Sequence, residues 1–231
     1  MPTKTPRPLH ALLSPIRWLL LAVSAGAFFA AGPLGIPAAR VILKPLPVLL
    51  LVSAVAGARR SGLARGVMVG LCLSALGDVL LELDLFLPGL LAFLGAHLAY
   101  LAAFLSDTRA LALPRALPCA AWGAGLFAFL RPGLGPMTLP VLVYMTAICT
   151  MMWRAAARIR PDRPAAGAWA GMLGAVSFGL SDSLIALDRF GAPLPYAGAA
   201  VMMLYWAGQI GIAAAALDAG APAVDGEQGA A

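Results

Sequence analysis

The sequence predicts an all-α polytopic membrane protein of about eight transmembrane helices, and three observations carry that prediction. Of 231 residues, 61% are hydrophobic and only 11% charged, whereas a soluble domain carries roughly 25% charge to clothe its surface. The apolar residues come in runs of about 17 to 25, long enough for a helix to cross a hydrocarbon core of ~30 Å. Short breaks containing Gly, Pro or charge separate the runs, among them "AGPLGIP", "GARRSG", "RPGLGPM" and "RIRPDRP".

In order, helices are expected over 15–31, 38–56, 63–83, 88–106, 115–130, 137–153, 166–187 and 195–217. The first has a basic start, but its apolar core is too long for a secretory leader. The second contains "KPLP", where Pro45 and Pro47 remove two amide donors. A helix kinked or broken in this way is tolerated where it is buried or lines a cavity. The third, "LCLSALGDVLLEL", carries Asp78 with Ser74 one turn before and Glu82 one turn after, all on one face. The fourth places His97 and Tyr100 three apart in "FLGAHLAY". The fifth and sixth are apolar, with single cysteines at Cys119 and Cys149; Cys72 sits alone in the third. No pair has CxxC spacing, so neither a metal site nor a redox motif is indicated. The seventh, "AVSFGLSDSLIAL", repeats the third's arrangement around Asp182, and the eighth carries Tyr205 and Gln209 four apart. Residues 1–13 and 218–231 are polar and expected to be disordered tails on a transmembrane domain spanning 14–217.

The net charge of +6 comes from basic residues clustered between apolar runs. That placement fits loops that set topology and not the continuous basic face of a nucleic-acid site. The termini and even-numbered loops carry most of them, including Arg59, Arg60, Arg154, Arg158 and Arg163. The opposite side holds Arg40, Arg131 and Arg189. By the positive-inside rule both termini are cytoplasmic. The Arg-, Ala-, Leu- and Gly-rich composition suggests a GC-rich bacterial genome, hence a bacterial cytoplasmic membrane. The "LGD" and "LSD" segments lie on the third helices of two four-helix halves, which suggests a 4+4 parallel repeat.

Charges inside a bilayer cost at least ~2.5–3.5 kcal/mol each on insertion scales, so Lys44, Asp78, His97 and Asp182 mark a site. At ~1.5 Å rise per residue, Lys44, Asp78 and Asp182 fall about 7–9 Å below the outer surface and His97 about 13 Å. Glu82 lies nearer the boundary, where it is either solvated or meets a cationic head group. Tyr100, Tyr205 and Gln209 are individually more often packing residues than ligands. Two carboxylates and one ammonium are neutral together when one carboxylate is protonated, so Lys44 is expected to hold one aspartate ionised beside a neutral one. Such a pair can act as general acid and as base or anionic stabiliser around an oxocarbenium-like transition state.

The segments "ILKPLPVLL", "LSALGD", "FLGAHLAYLAAF", "FGLSD" and "YWAGQ" occur in an order that resembles the YhhN-like lysoplasmalogenase family of integral membrane proteins, over nearly all of 38–217. The resemblance implies hydrolysis of the vinyl ether of a lysophospholipid substrate in the bilayer, without a cofactor or metal. It matches the family's intramembrane aspartates to Asp78 and Asp182, its KP-containing helix to Lys44, and its fourth-helix pair to His97 and Tyr100. The residues by themselves suit two other readings: a proton-coupled lipid or small-solute transporter, and a non-catalytic lipid-binding protein.

Overall fold

Prolines and glycines set the helix boundaries in the computed structural model, which describes residues 13–58, 61–160, 166–195 and 197–220. Helix α1 (Pro15–Ala31) starts on a proline, where a missing amide proton costs nothing. The second apolar run is two helices, α2 (Pro37–Leu43) and α3 (Leu46–Ala56), parted at Lys44–Pro45. This is the break expected from "KPLP". Helix α4 (Gly62–Glu82) is capped by Ser61, whose Oγ accepts the Ala64 amide at 3.0 Å. Asp84 then takes a left-handed conformation, with φ of 59°, in the tight turn to α5 (Phe86–Asp107). Aspartate tolerates that region better than most residues.

Helices α6 (Ala116–Leu134) and α7 (Thr138–Ala157) belong to one apolar run that reverses at Gly135, where φ is +49°. Leu130 and Leu134 pack against Val141 and Met145 across that reversal, so the two helices lie antiparallel. The chain closes with α8 (Ala166–Phe190) and α9 (Ala197–Gly220). Among the described residues every regular element is helical, and the all-α class holds. Six helical runs are long and apolar enough to cross a membrane, counting Pro37–Ala56 and Leu113–Ala157 as one run each, while α1 is shorter at 17 residues. Helix α9 reaches Gly220, into the stretch read as a tail; residues 1–12 and 221–231 of the expected tails, and Arg59, Arg60 and Arg163, lie outside the described residues.

The hairpins α4–α5 and α8–α9 make the densest contacts. Helix α3 packs on α4 and α9, and α7 packs on α8 and α5; α1 flanks α3, and α6 flanks α7. Glycines allow the closest approach. A Cβ on Gly208 would lie 2.9 Å from the Gly174 carbonyl oxygen, and one on Gly211 would lie 2.6 Å from the Ala170 carbonyl oxygen. The helix backbones therefore touch along the α8–α9 seam, as small residues permit inside membranes. On the outside, Ile42 and Leu117 are each 70% exposed and Phe129 67%. An exterior with so many exposed large apolar side chains is stable against lipid and not against water. The protein is an integral membrane protein.

Candidate active site

Among the described residues, three polar clusters between the helices contain the ionisable residues singled out by depth. The first joins α2 to the end of α4. Glu82 accepts Arg40 Nε at 2.6 Å and Lys44 Nζ at 3.1 Å, so Lys44 pairs with a glutamate and not with an aspartate. The expected Lys44–Asp pair is thereby corrected. The reason is geometric: the break at Lys44–Pro45 leaves Lys44 as the C-terminal cap of α2, beside the last residue of α4.

The second cluster lies where α4, α5 and α9 meet. Tyr205 donates to Asp78 Oδ2 at 2.7 Å. One turn along, Tyr100 donates to Gln209 Oε1 at 2.6 Å, and Gln209 Nε2 donates to Ser74 Oγ at 3.1 Å. With its own proton spent, Tyr100 oxygen can only receive from Ser74 at 3.4 Å, which closes a three-member ring. Ser74, Asp78, Tyr100 and Gln209 are all almost completely buried. The ring satisfies the buried amide that the sequence left in need of partners.

The third cluster gathers α5, α7 and α8 around Asp182. Tyr144 donates to Asp182 Oδ2 at 2.8 Å, and His97 Nε2 lies 3.4 Å from the same oxygen. His97 Nδ1 is 2.7 Å from the Phe93 carbonyl oxygen, an acceptor only, so Nδ1 carries a proton. Nε2, the other ring nitrogen, then faces Asp182. The contact falls within ion-pair reach but lacks hydrogen-bond alignment, and Nε2 has no other partner among the described residues.

Phe178 separates the second cluster from the third, with its ring 4.5 Å from His97 and 5.3 Å from Tyr205. Phe93 adds to this partition, packing edge-on against Phe178 and Tyr205. The two aspartates thus occupy opposite sides of an aromatic wall and do not share a proton directly. Gly77 explains how the wall fits: a Cβ there would lie 2.7 Å from the Phe93 ring.

A narrow cleft opens on the Asp182 side. Its walls are apolar, with Trp122 and Leu126 from α6, Met145 and Ile148 from α7, and Phe86 and Phe93 from α5. Asp182 is its one ionisable carboxylate, with a side chain 10% exposed, and Asp78 is not in its wall. Ser183 also lines it, but its hydroxyl is committed to the Gly179 carbonyl at 2.7 Å. The cleft offers an apolar surface suited to alkyl groups, with one carboxyl group in its wall.

Tyr144 and Trp122 were missed in the sequence. Tyr144 had a readable signal, because a phenol deep in an apolar helix needs a hydrogen-bond partner. Trp122 had none beyond its size. Arg40 and Arg189 had been counted only as topological charges.

The YhhN family model matches residues 39–216. The bovine (Bos taurus) lysoplasmalogenase TMEM86A is 38% identical over 169 residues, covering 70% of this chain and 69% of the relative. Human lysoplasmalogenase TMEM86B is 36% identical over 186 residues, covering 80% and 78%. A lysoplasmalogenase of Mycobacterium tuberculosis is 36% identical over 137 residues, covering 54% and 50%. No solved structure matches the chain.

Proposed function

The chain belongs to the YhhN family, and we propose that it is an intramembrane lysoplasmalogenase, cleaving the vinyl ether of a lysophospholipid with Asp182 and Asp78. One observation carries the chemistry: a single carboxyl group, in contact with His97 and Tyr144, stands in the wall of a mostly apolar cleft. The names of the relatives supply the substrate class.

A vinyl ether is hydrolysed by protonating its β-carbon. This leaves a cation shared by the adjacent carbon and the ether oxygen. Asp182 as the acid donates the proton from its exposed edge. The Phe93 ring in the cleft wall and the Asp78 carboxyl group beyond it stabilise the developing positive charge. Asp182, now a carboxylate, takes a proton from the water that adds to the cation. The hemiacetal then collapses to a fatty aldehyde and a free glycerol hydroxyl: Asp182 gives its proton to the departing oxygen and takes up the proton of the hemiacetal hydroxyl, which regenerates the acid. His97 holds the second position for that proton between steps. One water is consumed, and no electron changes hands, so the chemistry calls for no cofactor.

The cleft presents no activated nucleophile, so an ester should survive in it. Purified protein in bilayers should release aldehyde from a lysoplasmalogen and no fatty acid from the ester-linked lysophospholipid. Fatty acid appearing at a comparable rate would overturn the assignment.

The topology in this reading is eight crossings, with α2 and α3 sharing one and α6 and α7 making two. A run as long as Leu113–Ala157, 45 residues, would be ~67 Å if straight, about twice a hydrocarbon core. The packing supports a 4+4 repeat: α3 on α4 and α9 answers α7 on α8 and α5. Asp78 on α4 takes its partner from α9, and Asp182 on α8 takes one from α5, each crossing to the other half. Both termini face the cytoplasm of a bacterial cell by charge bias. In a cysteine-free background, a cysteine at Arg160 should stay protected in intact cells and one at Leu194 should label. The opposite pattern would invert the topology.

A further inference from the structure

A second pocket adjoins the cleft at the end of the bundle where α1, α2, α8 and α9 meet, and the mechanism leaves it unused. Arg40, Lys44 and Arg189 line it, and it shares Leu81, Phe86 and Ile185 with the Asp182 cleft. Both guanidinium groups lie on aromatic rings. Arg189 stacks 3.6 Å above the Phe86 ring centroid, and Arg40 lies 4.3 Å above that of Phe28. A guanidinium braced by its flat face presents its N–H edges to a ligand, the geometry that favours bidentate binding of phosphate.

The charges are unbalanced. Against three cations stand Glu82, shared by Arg40 and Lys44, and Asp188, whose Oδ1 accepts the Leu194 amide at 2.8 Å. One positive charge is left over. A phosphodiester carries one negative charge.

Length agrees as well. Asp182 and Arg189 are seven residues apart on α8, hence on one face and ~10 Å apart along its axis. From the phosphorus of a glycerophospholipid to the vinyl β-carbon runs a path of about seven bonds, or ~8 Å when extended at the ~1.2 Å per bond of a stretched chain. A phosphate at Arg189 therefore puts the double bond beside Asp182.

We propose that Arg40, Lys44 and Arg189 form a phosphate-binding subsite that anchors the head group of a lysophospholipid while its chain lies in the Asp182 cleft. This inference rests on the lipid reading above, but its test does not require turnover. The probe is a saturated 1-O-alkyl lysophosphoethanolamine, which has no vinyl ether to cleave, compared with the same 1-O-alkylglycerol lacking phosphate. Equilibrium binding is measured with the full chain in lipid nanodiscs.

The phosphorylated lipid should bind at least ~10-fold tighter than the alkylglycerol, a difference of about 1.4 kcal/mol. Arg189→Gln and Arg40→Gln should each erase most of that preference while leaving alkylglycerol affinity unchanged. Unchanged alkylglycerol binding also reports an intact fold, which matters for Arg40 because it pairs with Glu82. Glycerophosphoethanolamine should displace the lipid from the wild type; displacement by inorganic phosphate as well would assign the subsite to phosphate from either source. No preference in the wild type, or equal weakening of both ligands by Arg189→Gln, would overturn the proposal. A preference without any vinyl-ether cleavage would sink the enzyme reading and leave the subsite standing.

Discussion

Asp182→Asn should lower kcat for a lysoplasmalogen by at least ~10²-fold, the scale of a positioned general acid, with KM little changed. Asparagine keeps the size of the side chain and an oxygen that accepts from Tyr144, now at 2.8 Å. It loses the proton that must reach the β-carbon. Equal loss in kcat and kcat/KM identifies an interaction made in the transition state, whereas a rise in KM alone would mark lost binding. Asp78→Asn tests the other side of the aromatic wall. Its oxygen can still accept from Tyr205, so the fold stays in place and only the ionisable group is removed. A similar loss of turnover is expected. Near-normal rates in Asp182→Asn would end the acid assignment; near-normal rates in Asp78→Asn alone would leave Asp182 and His97 to act without the second carboxylate.

Gly208→Leu should prevent folding outright. A Cβ at Gly208 already comes within 2.9 Å of the Gly174 carbonyl oxygen and the Phe178 amide nitrogen, both backbone atoms that cannot swing aside. Overpacking a core costs typically ~1–3 kcal/mol, and more where backbone must part. Parting α8 from α9 would also pull Tyr205 away from Phe178 and weaken the wall between the aspartates. Gly198→Leu, on the same helix but with nothing within 4 Å of its Cβ, serves as the control. Detergent-solubilised Gly198→Leu should elute as a single species and Gly208→Leu should aggregate or be degraded. Equal behaviour of the two would refute the backbone-contact argument.

Helix positions were legible because a membrane leaves few alternatives: an apolar run of this length has to satisfy its amides internally. The break in the second run was legible too, since Pro45 and Pro47 lack the donors a continuous helix needs. The polar residues singled out by depth do lie between helices, and Tyr205 and Gln209 found the partners a buried phenol and amide require. What the sequence could not fix was who meets whom. Spacing along one helix places Ser74, Asp78 and Glu82 on a common face, but neighbours on other helices decide their partners. Glu82 took Lys44 because the broken helix ends beside it. Asp182 took His97 because α5 and α8 both border the cleft, and nothing in the local sequence encodes that meeting. Phe93 and Phe178 were equally silent, as aromatics among many apolar residues whose role depends on lying between two acids.

The position of α6 has a consequence for how material reaches the site. This helix packs chiefly on α7, with a smaller contact to α8, yet it supplies Trp122 and Leu126 to the cleft. This side wall of the cleft is thus also its least anchored wall, and it borders the hydrocarbon. A lipid would pass sideways between helices without leaving its leaflet. The concentration that governs turnover is then a mole fraction in two dimensions, not a molarity in water. Diluting the substrate with inert lipid slows the reaction even when the total amounts of substrate and protein stay the same.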